Sequence, residues 1–151
     1  MKKIFLISLV FFIGLTLYAQ QYEYAIVTTI ESIIPSGIGR SRMLYARENV
    51  DYKAFTTSRT KGKDGGKQSD IDRSEIKIDA FDETKLLNFF SMVGINFQNI
   101  ASNDAVITSK LNAMAAEGWE LAFVSSGVES DAGKGDGQGI FITRYVFKRK
   151  K

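Results

Sequence analysis

The pattern of apolar and polar positions divides the chain into an unbroken apolar start, a run of alternating segments, a helical stretch and a last alternating pair. Residues 4–17 are apolar except for Ser8, Gly14 and Thr16. Beyond them, Tyr22-Glu23-Tyr24-Ala25-Ile26-Val27-Thr28-Thr29-Ile30 is rich in aromatic and β-branched residues. It places Tyr22, Tyr24, Ile26, Thr28 and Ile30 on one side of an extended chain, which predicts a strand. Pro35-Ser36-Gly37-Ile38-Gly39 is turn chemistry, and Ser41 to Ala46 then predicts the returning strand of a hairpin. Two more strands are predicted at residues 51–57 and 74–80, the second alternating strictly with Ile76, Ile78 and Ala80 inward. Between them, residues 58–73 hold one large apolar residue and read as a long mobile hairpin loop.

The period then lengthens. Asp82 as N-cap, a stripe of Leu86, Leu87, Phe90 and Val93, and Gly94 as terminator predict a first helix. A second is predicted with Ser102-Asn103 as its cap, Ile107, Leu111, Met114 and Ala115 as its buried face, and Gly118 at the left-handed C′ position. Trp119 then falls at C″, where a Schellman ending packs it back on Met114 at C3. Residues 120–128 predict a strand with Leu121 and Phe123 inward, residues 129–139 a glycine-rich loop, and residues 140–148 a closing strand carrying Phe141, Tyr145 and Phe147. The expected fold is one α+β domain, an antiparallel sheet of about five or six strands with two helices on one face.

Composition narrows the chemistry. With 151 residues, 44% hydrophobic and 25% charged, the chain has the make-up of one folded domain. It contains neither cysteine nor histidine, which removes thiolate and imidazole chemistry and leaves a fold held by core burial without disulfides. Met1-Lys2-Lys3, the apolar run and Leu17-Tyr18-Ala19 together read as a signal peptide over residues 1–19, followed by a domain over residues 20–151. The fourteen residues from Ile4 to Leu17 fall short of the roughly 20 that span a bilayer, so no permanent span is expected after cleavage. The expected location is periplasmic or extracellular.

The net charge of +3 misleads about partners. Residues 1–19 carry two of the 20 basic residues, so their removal leaves 18 against 17 acidic ones, and four of the 18 form the basic tail Lys148-Arg149-Lys150-Lys151. The body of the domain is therefore acidic, which argues against nucleic acid. The tail reads as a solvated terminus that blunts the last strand edge.

Gly62-Lys63-Asp64-Gly65-Gly66-Lys67 and the run Gly133 to Gly139 both lead into strands, so no helix N-terminus receives a phosphate and no nucleotide is expected. Asp70 with Asp72, and Asp131 with Asp136, lack the spacing of a calcium loop and read as solvated turn residues; no metal or cofactor is predicted. Ser109 and Lys110 are adjacent on a helix, about 100° apart, and cannot share a proton directly. Glu117 and Glu120 flank Trp119 and form the one acid pair beside a core aromatic. Tyr22, Tyr24 and Tyr145 are the candidate binding residues, an aromatic platform on the exposed side of the sheet for a glycan or a partner strand.

Three motifs carry a resemblance: Tyr22-Glu23-Tyr24 opening a strand, Leu111-Asn112-Ala113-Met114-Ala115-Ala116-Glu117-Gly118-Trp119-Glu120-Leu121 joining helix to strand, and Tyr145-Val146-Phe147-Lys148-Arg149 closing the chain. Together they resemble a small bacterial domain family of unknown function. The resemblance covers the first strand and residues 103–149, leaves residues 32–101 as an insertion, and is strongest for exported members from Bacteroidetes-type bacteria. It implies one helix on a short antiparallel sheet, with Glu117, Gly118, Trp119, Glu120 and Leu121 as a structural signature, and it implies no reaction. The function expected is that of a non-catalytic binding or interaction module of the cell envelope. Its partner is a protein or a glycan, and homo-oligomerisation is left open. The alternative is a carboxylate-dependent hydrolase acting on a saccharide.

Overall fold

A computed structural model of the chain describes residues 21–33, 41–48, 50–61, 63–65, 68–91, 93–129 and 139–151. The expected signal peptide, the turn at 35–39 and the Asp131–Asp136 part of the glycine-rich loop lie outside the described residues. In chain order the strands are β1 (Tyr22–Ser32), β2 (Arg42–Ala46), β3 (Ser58–Thr60), β4 (Lys63–Gly65), β5 (Phe81–Lys85), β6 (Phe90–Ser91), β7 (Gly94–Ile95), β8 (Glu120–Glu129) and β9 (Ile140–Lys150). One α-helix is present among the described residues, α1 (Phe97–Ala116).

Five strands form an antiparallel sheet in the order β5-β2-β1-β9-β8, so the chain is of the α+β class. β1 is central because its apolar residues sit on both faces, and it pairs with β9 without interruption from Tyr22 opposite Lys150 to Ser32 opposite Ile140. That unbroken register fixes the two faces. Odd-numbered residues of β1 and β9 lie toward α1, and even-numbered residues lie on the other side. The core forms on the helix side, where Val27, Met43, Leu86, Ile107, Met114 and Phe147 are buried and Ala25, Tyr45, Leu111, Trp119 and Tyr145 pack around them. Full burial of a side chain such as Phe147 or Met114 contributes about 1.5–3 kcal/mol.

The first expected helix is replaced by the strand β5, an irregular stretch over residues 86–89 and the short strands β6 and β7. Residues 81–85 pair with β2, and Leu86 and Phe89 donate their N–H groups to the carbonyls of Ser41 and Ser32, both at 3.1 Å. Of the expected apolar stripe only Leu86 is buried, and Val93 is 97% exposed. A helix here would have left the edge of β2 unpaired while burying little more. The surviving helix also starts earlier than its expected Ser102-Asn103 cap. Asn96 is the N-cap, its Oδ1 accepting from Asn99 N–H at 3.1 Å, which places Asn103 inside the helix on its buried side. Ile107 and Met114 are buried as expected, whereas Ala115 is exposed.

Local side-chain bonds displace two other expected strands. Asp51 accepts from Lys53 N–H and caps a 3₁₀ turn over Tyr52–Phe55. Asp72 accepts from both the N–H and the hydroxyl of Ser74, and successive turns follow through Glu75 and Lys77. As a result Ile76 and Ala80 are exposed and only Ile78 is half-buried. The expected loop over 58–73 contains the short β3–β4 ladder and a 3₁₀ turn at Gln68–Asp70. In β8, a bulge between Leu121 and Phe123 turns them to opposite faces, Leu121 opposite Phe147 and Phe123 opposite Val146.

Candidate functional site

The face of the sheet away from α1 is the candidate site. Register aligns three rows across it. The central row runs Glu83, Leu44, Thr28, Arg144, Ser125. To one side lie Ile30 and Ile142, and to the other Ile26, Val146 and Phe123. Tyr24, Ile26, Phe81 and Phe123 remain between 47% and 63% exposed on this face. A depression of ≈ 560 Å³ is sunk into it, lined mainly by Ile26, Ile30, Leu44, Ile78, Phe81 and Ile142, with Arg144 as the one charged residue among the described residues that line it.

Two other cations of this face are paired, while Lys85 and Lys150 at the strand ends have no ion pair among the described residues. Arg42 binds Glu83, and Lys148 Nζ lies 3.4 Å from Glu120. Arg144 is exposed and makes no ion pair or side-chain hydrogen bond among the described residues. Tyr22 and Tyr24 stand on this face, with Lys148 Nζ 5.6 Å from the Tyr22 ring centre. Tyr145 stands on the opposite face, since it is paired with Val27 and packs against the core. The three tyrosines are therefore not brought together. Tyr145 shares the odd numbering of Phe147 on β9, and the register against β1 sets both on the face opposite Tyr24.

The motifs at 22–24, 117–121 and 145–149 converge on a clasp at the end of the helix. Gly118 has φ +84° and donates to Ala115 O at 3.0 Å, while Trp119 N–H reaches Met114 O at 3.0 Å, the two bonds of a Schellman ending. The Arg149 guanidinium lies 4.3 Å over the Trp119 ring. From there it donates to Glu23 from Nε and Nη2, both at 2.7 Å, and to the Glu117 carbonyl at 2.9 Å. These residues are thus occupied with holding β1, α1 and β9 together. Glu117 and Glu120 are both exposed, and Glu120 is engaged by Lys148.

A second polar cluster, not foreseen from the sequence, lies on the helix side. Asn103 donates from Nδ2 to Leu87 O at 2.7 Å and to Glu31 Oε1 at 2.9 Å, and its Oδ1 accepts from Leu87 N–H at 2.8 Å. Burial raises the Glu31 pKa above the usual carboxylate value. The Asn103 bond offsets part of that rise, and the negative charge of Asp104 adds to it. Burial likewise raises the Tyr145 pKa; nearby Thr29 opposes this and the charges of Glu31 and Asp104 reinforce it. The Thr29 hydroxyl is fully buried and has no partner in hydrogen-bond geometry among the described residues. Glu31 was recoverable in principle, because it continues the odd-numbered face of Val27 and Thr29.

Lys110 Nζ sits 4.0 Å over the Tyr45 ring, so it too has a packing role. Among the described residues no three acidic side chains converge where a metal ion could be held, and no helix is long and apolar enough to cross a membrane. Comparison with protein-family models, curated proteins and solved structures gave no match to the chain.

Proposed function

We propose that the protein is exported by way of residues 1–19 and works as a non-catalytic binding module of the cell envelope, taking its partner on the sheet face opposite α1. One observation carries this: Tyr24, Ile26, Phe81 and Phe123 stay about half or more exposed on a face with a shallow apolar depression. A contiguous apolar surface rimmed by polar groups is the usual mark of an interaction site. The clasp around Trp119 supports the same reading, since it gives Glu23, the Glu117 carbonyl, Gly118, Trp119 and Arg149 a structural use.

A photoreactive benzophenone side chain placed at position 26 or 123 in cells making the protein tests this proposal. Light-dependent adducts at those positions, and none from position 105 on the outer side of the helix, are expected. Adducts at 105 with none at 26 and 123 overturn the assignment of the face.

A carboxylate-dependent saccharide hydrolase is a second reading, and Glu31 is the observation that favours it. Its raised pKa is what a general acid needs, and Asp104 lies within its field. Asn103, however, clasps Leu87 with the same amide that holds Glu31, so this geometry already has a structural use. Release of reducing ends from a saccharide by the wild type and not by Glu31→Gln reverses the order of the two readings.

A further inference from the structure

Among the described residues Arg144 is the one charged residue lining an otherwise apolar depression, and this place, shared by none of Arg42, Lys85, Lys148 and Lys150, sets it apart from the other cations of the open face. Arg42 and Lys148 each have a carboxylate partner. In the register, Arg144 lies between Thr28 and Ser125, with Ile142 and Val146 two residues away on its own strand and Ile26 and Ile30 diagonal on β1. None of these neighbours can neutralise it. Among the described residues the nearest acids on the face are Glu83, three strands away and held by Arg42, Glu120, held by Lys148, and Glu129 at the far end of β8 opposite Ile140. An exposed guanidinium without an ion pair among the described residues, set beside an apolar hollow, is complementary to a ligand that is itself an anion joined to an apolar body. The guanidinium fork matches a carboxylate in particular, through paired N–H donors.

The hollow of ≈ 560 Å³ falls within the range that accommodates a small-molecule ligand. Its lining is aliphatic and aromatic, supplied chiefly by Ile26, Ile30, Leu44, Ile78, Phe81 and Ile142. Thr28 beside Arg144 adds a hydroxyl to the polar end of the site. We propose that this depression binds a single-chain acyl carboxylate, its chain on the isoleucine rows and its headgroup on Arg144. The proposal rests on the open face being the binding surface and replaces the protein or glycan expected there with an amphipathic anion.

The test uses the full chain with ¹³C-labelled isoleucine methyl groups, titrated with decanoate below its micelle concentration. Saturable shifts at Ile26, Ile30 and Ile142 are expected, with decanol and decyltrimethylammonium binding more weakly. Arg144→Gln is expected to lower decanoate affinity about fivefold, to the level of decanol, and to leave the amide spectrum folded. Equal affinity for the three probes, or an Arg144→Gln variant that binds decanoate unchanged, overturns the proposal. Cosedimentation with phosphatidylglycerol vesicles without binding of monomeric decanoate also overturns it, in favour of a lipid surface. Methyl shifts that follow protein concentration in the absence of any probe, matched by a dimer in sedimentation equilibrium, overturn it in favour of a second copy. Adducts at positions 26 and 123 together with no decanoate binding remove the ligand class and leave the binding face standing, so the two failures are separable.

Discussion

Replacing Asn103 with alanine should destabilise the fold by about 2–4 kcal/mol. The side chain is 1% exposed and makes three hydrogen bonds, two of them to the N–H and C=O of Leu87 in the manner of a peptide neighbour. Truncation leaves both backbone groups without partners, at about 1–3 kcal/mol for each group kept from water. The Leu87 side chain is exposed, so water relieves part of this penalty and the low end applies to each group. Loss of the packed amide and of the donor to Glu31 adds a further ~0.5–1 kcal/mol. Urea unfolding followed by Trp119 fluorescence measures the change at constant m-value. Asn103→Asp refines the test. It keeps the acceptor for Leu87 N–H but turns the donor toward Glu31 into a carboxylate, so its cost should be greater at neutral pH than under acid conditions that protonate it. A loss below about 1 kcal/mol for alanine, or an aspartate cost independent of pH, would refute the assignment of Asn103 as the link between α1, β1 and the segment after β5.

Two further outcomes are expected. Gly118→Ala should cost about 1 kcal/mol, because φ is +84° while the added Cβ meets only Arg149 Cδ at 3.6 Å, so the loss is backbone strain without a clash. Gly118→Asn should cost less when both variants are compared in thermal melts, and equal losses for the two would contradict that account. For Glu31, burial raises the folded-state pKa, so the native state holds its proton more tightly than the unfolded chain. Its contribution is therefore present below the ordinary glutamate pKa and is lost as pH rises through the raised folded value. Glu31→Gln keeps an acceptor for Asn103 and removes the charge. It should be more stable than wild type at neutral pH, with the advantage fading below about pH 4. A stability difference unchanged between those limits would count against burial as the cause.

The parts of the fold that were legible in the sequence are those governed by local rules. β1, β2, β8 and β9 alternate or are β-branched over their whole length, and the Schellman ending at Gly118-Trp119 follows from a glycine placed one residue beyond the helix. The misread segments depend on distant partners. Residues 82–93 carry a helical spacing of leucines, yet the free edge of β2 and the Asn103 amide of a helix far along the chain claim their backbone groups. The strand expected at 74–80 fails for the opposite reason, because the short-range bonds of Asp72 outcompete any ladder. At the site, Tyr22 and Tyr24 were correctly read as sharing one side of β1, while Tyr145 depended on the register between β1 and β9, which no single segment encodes. Arg144 carried no signal at all until that register placed it among isoleucines.

The two faces of this sheet are unequal for a geometric reason. Five strands spaced about 4.8 Å apart place the axes of the two edge strands about 19 Å from each other, whereas one helix with its side chains is about 10–12 Å across. A single helix therefore covers the centre of one face and leaves β8, the edge strand, exposed along its whole length. The open face has a different status, because its residues are not those of a solvated sheet. A one-sided antiparallel sheet alternates apolar inward and polar outward, but on β1 and β9 the outward positions include Ile26, Ile30, Ile142 and Val146. Their presence opposite the helix-side core makes an apolar face of the kind the proposed binding surface needs. The same inequality explains why Arg144 can serve as an anchor. On the helix side its charge would have to be neutralised within the fold, as Arg149 is by Glu23, and only on the open face is the counter-charge left for a ligand to supply.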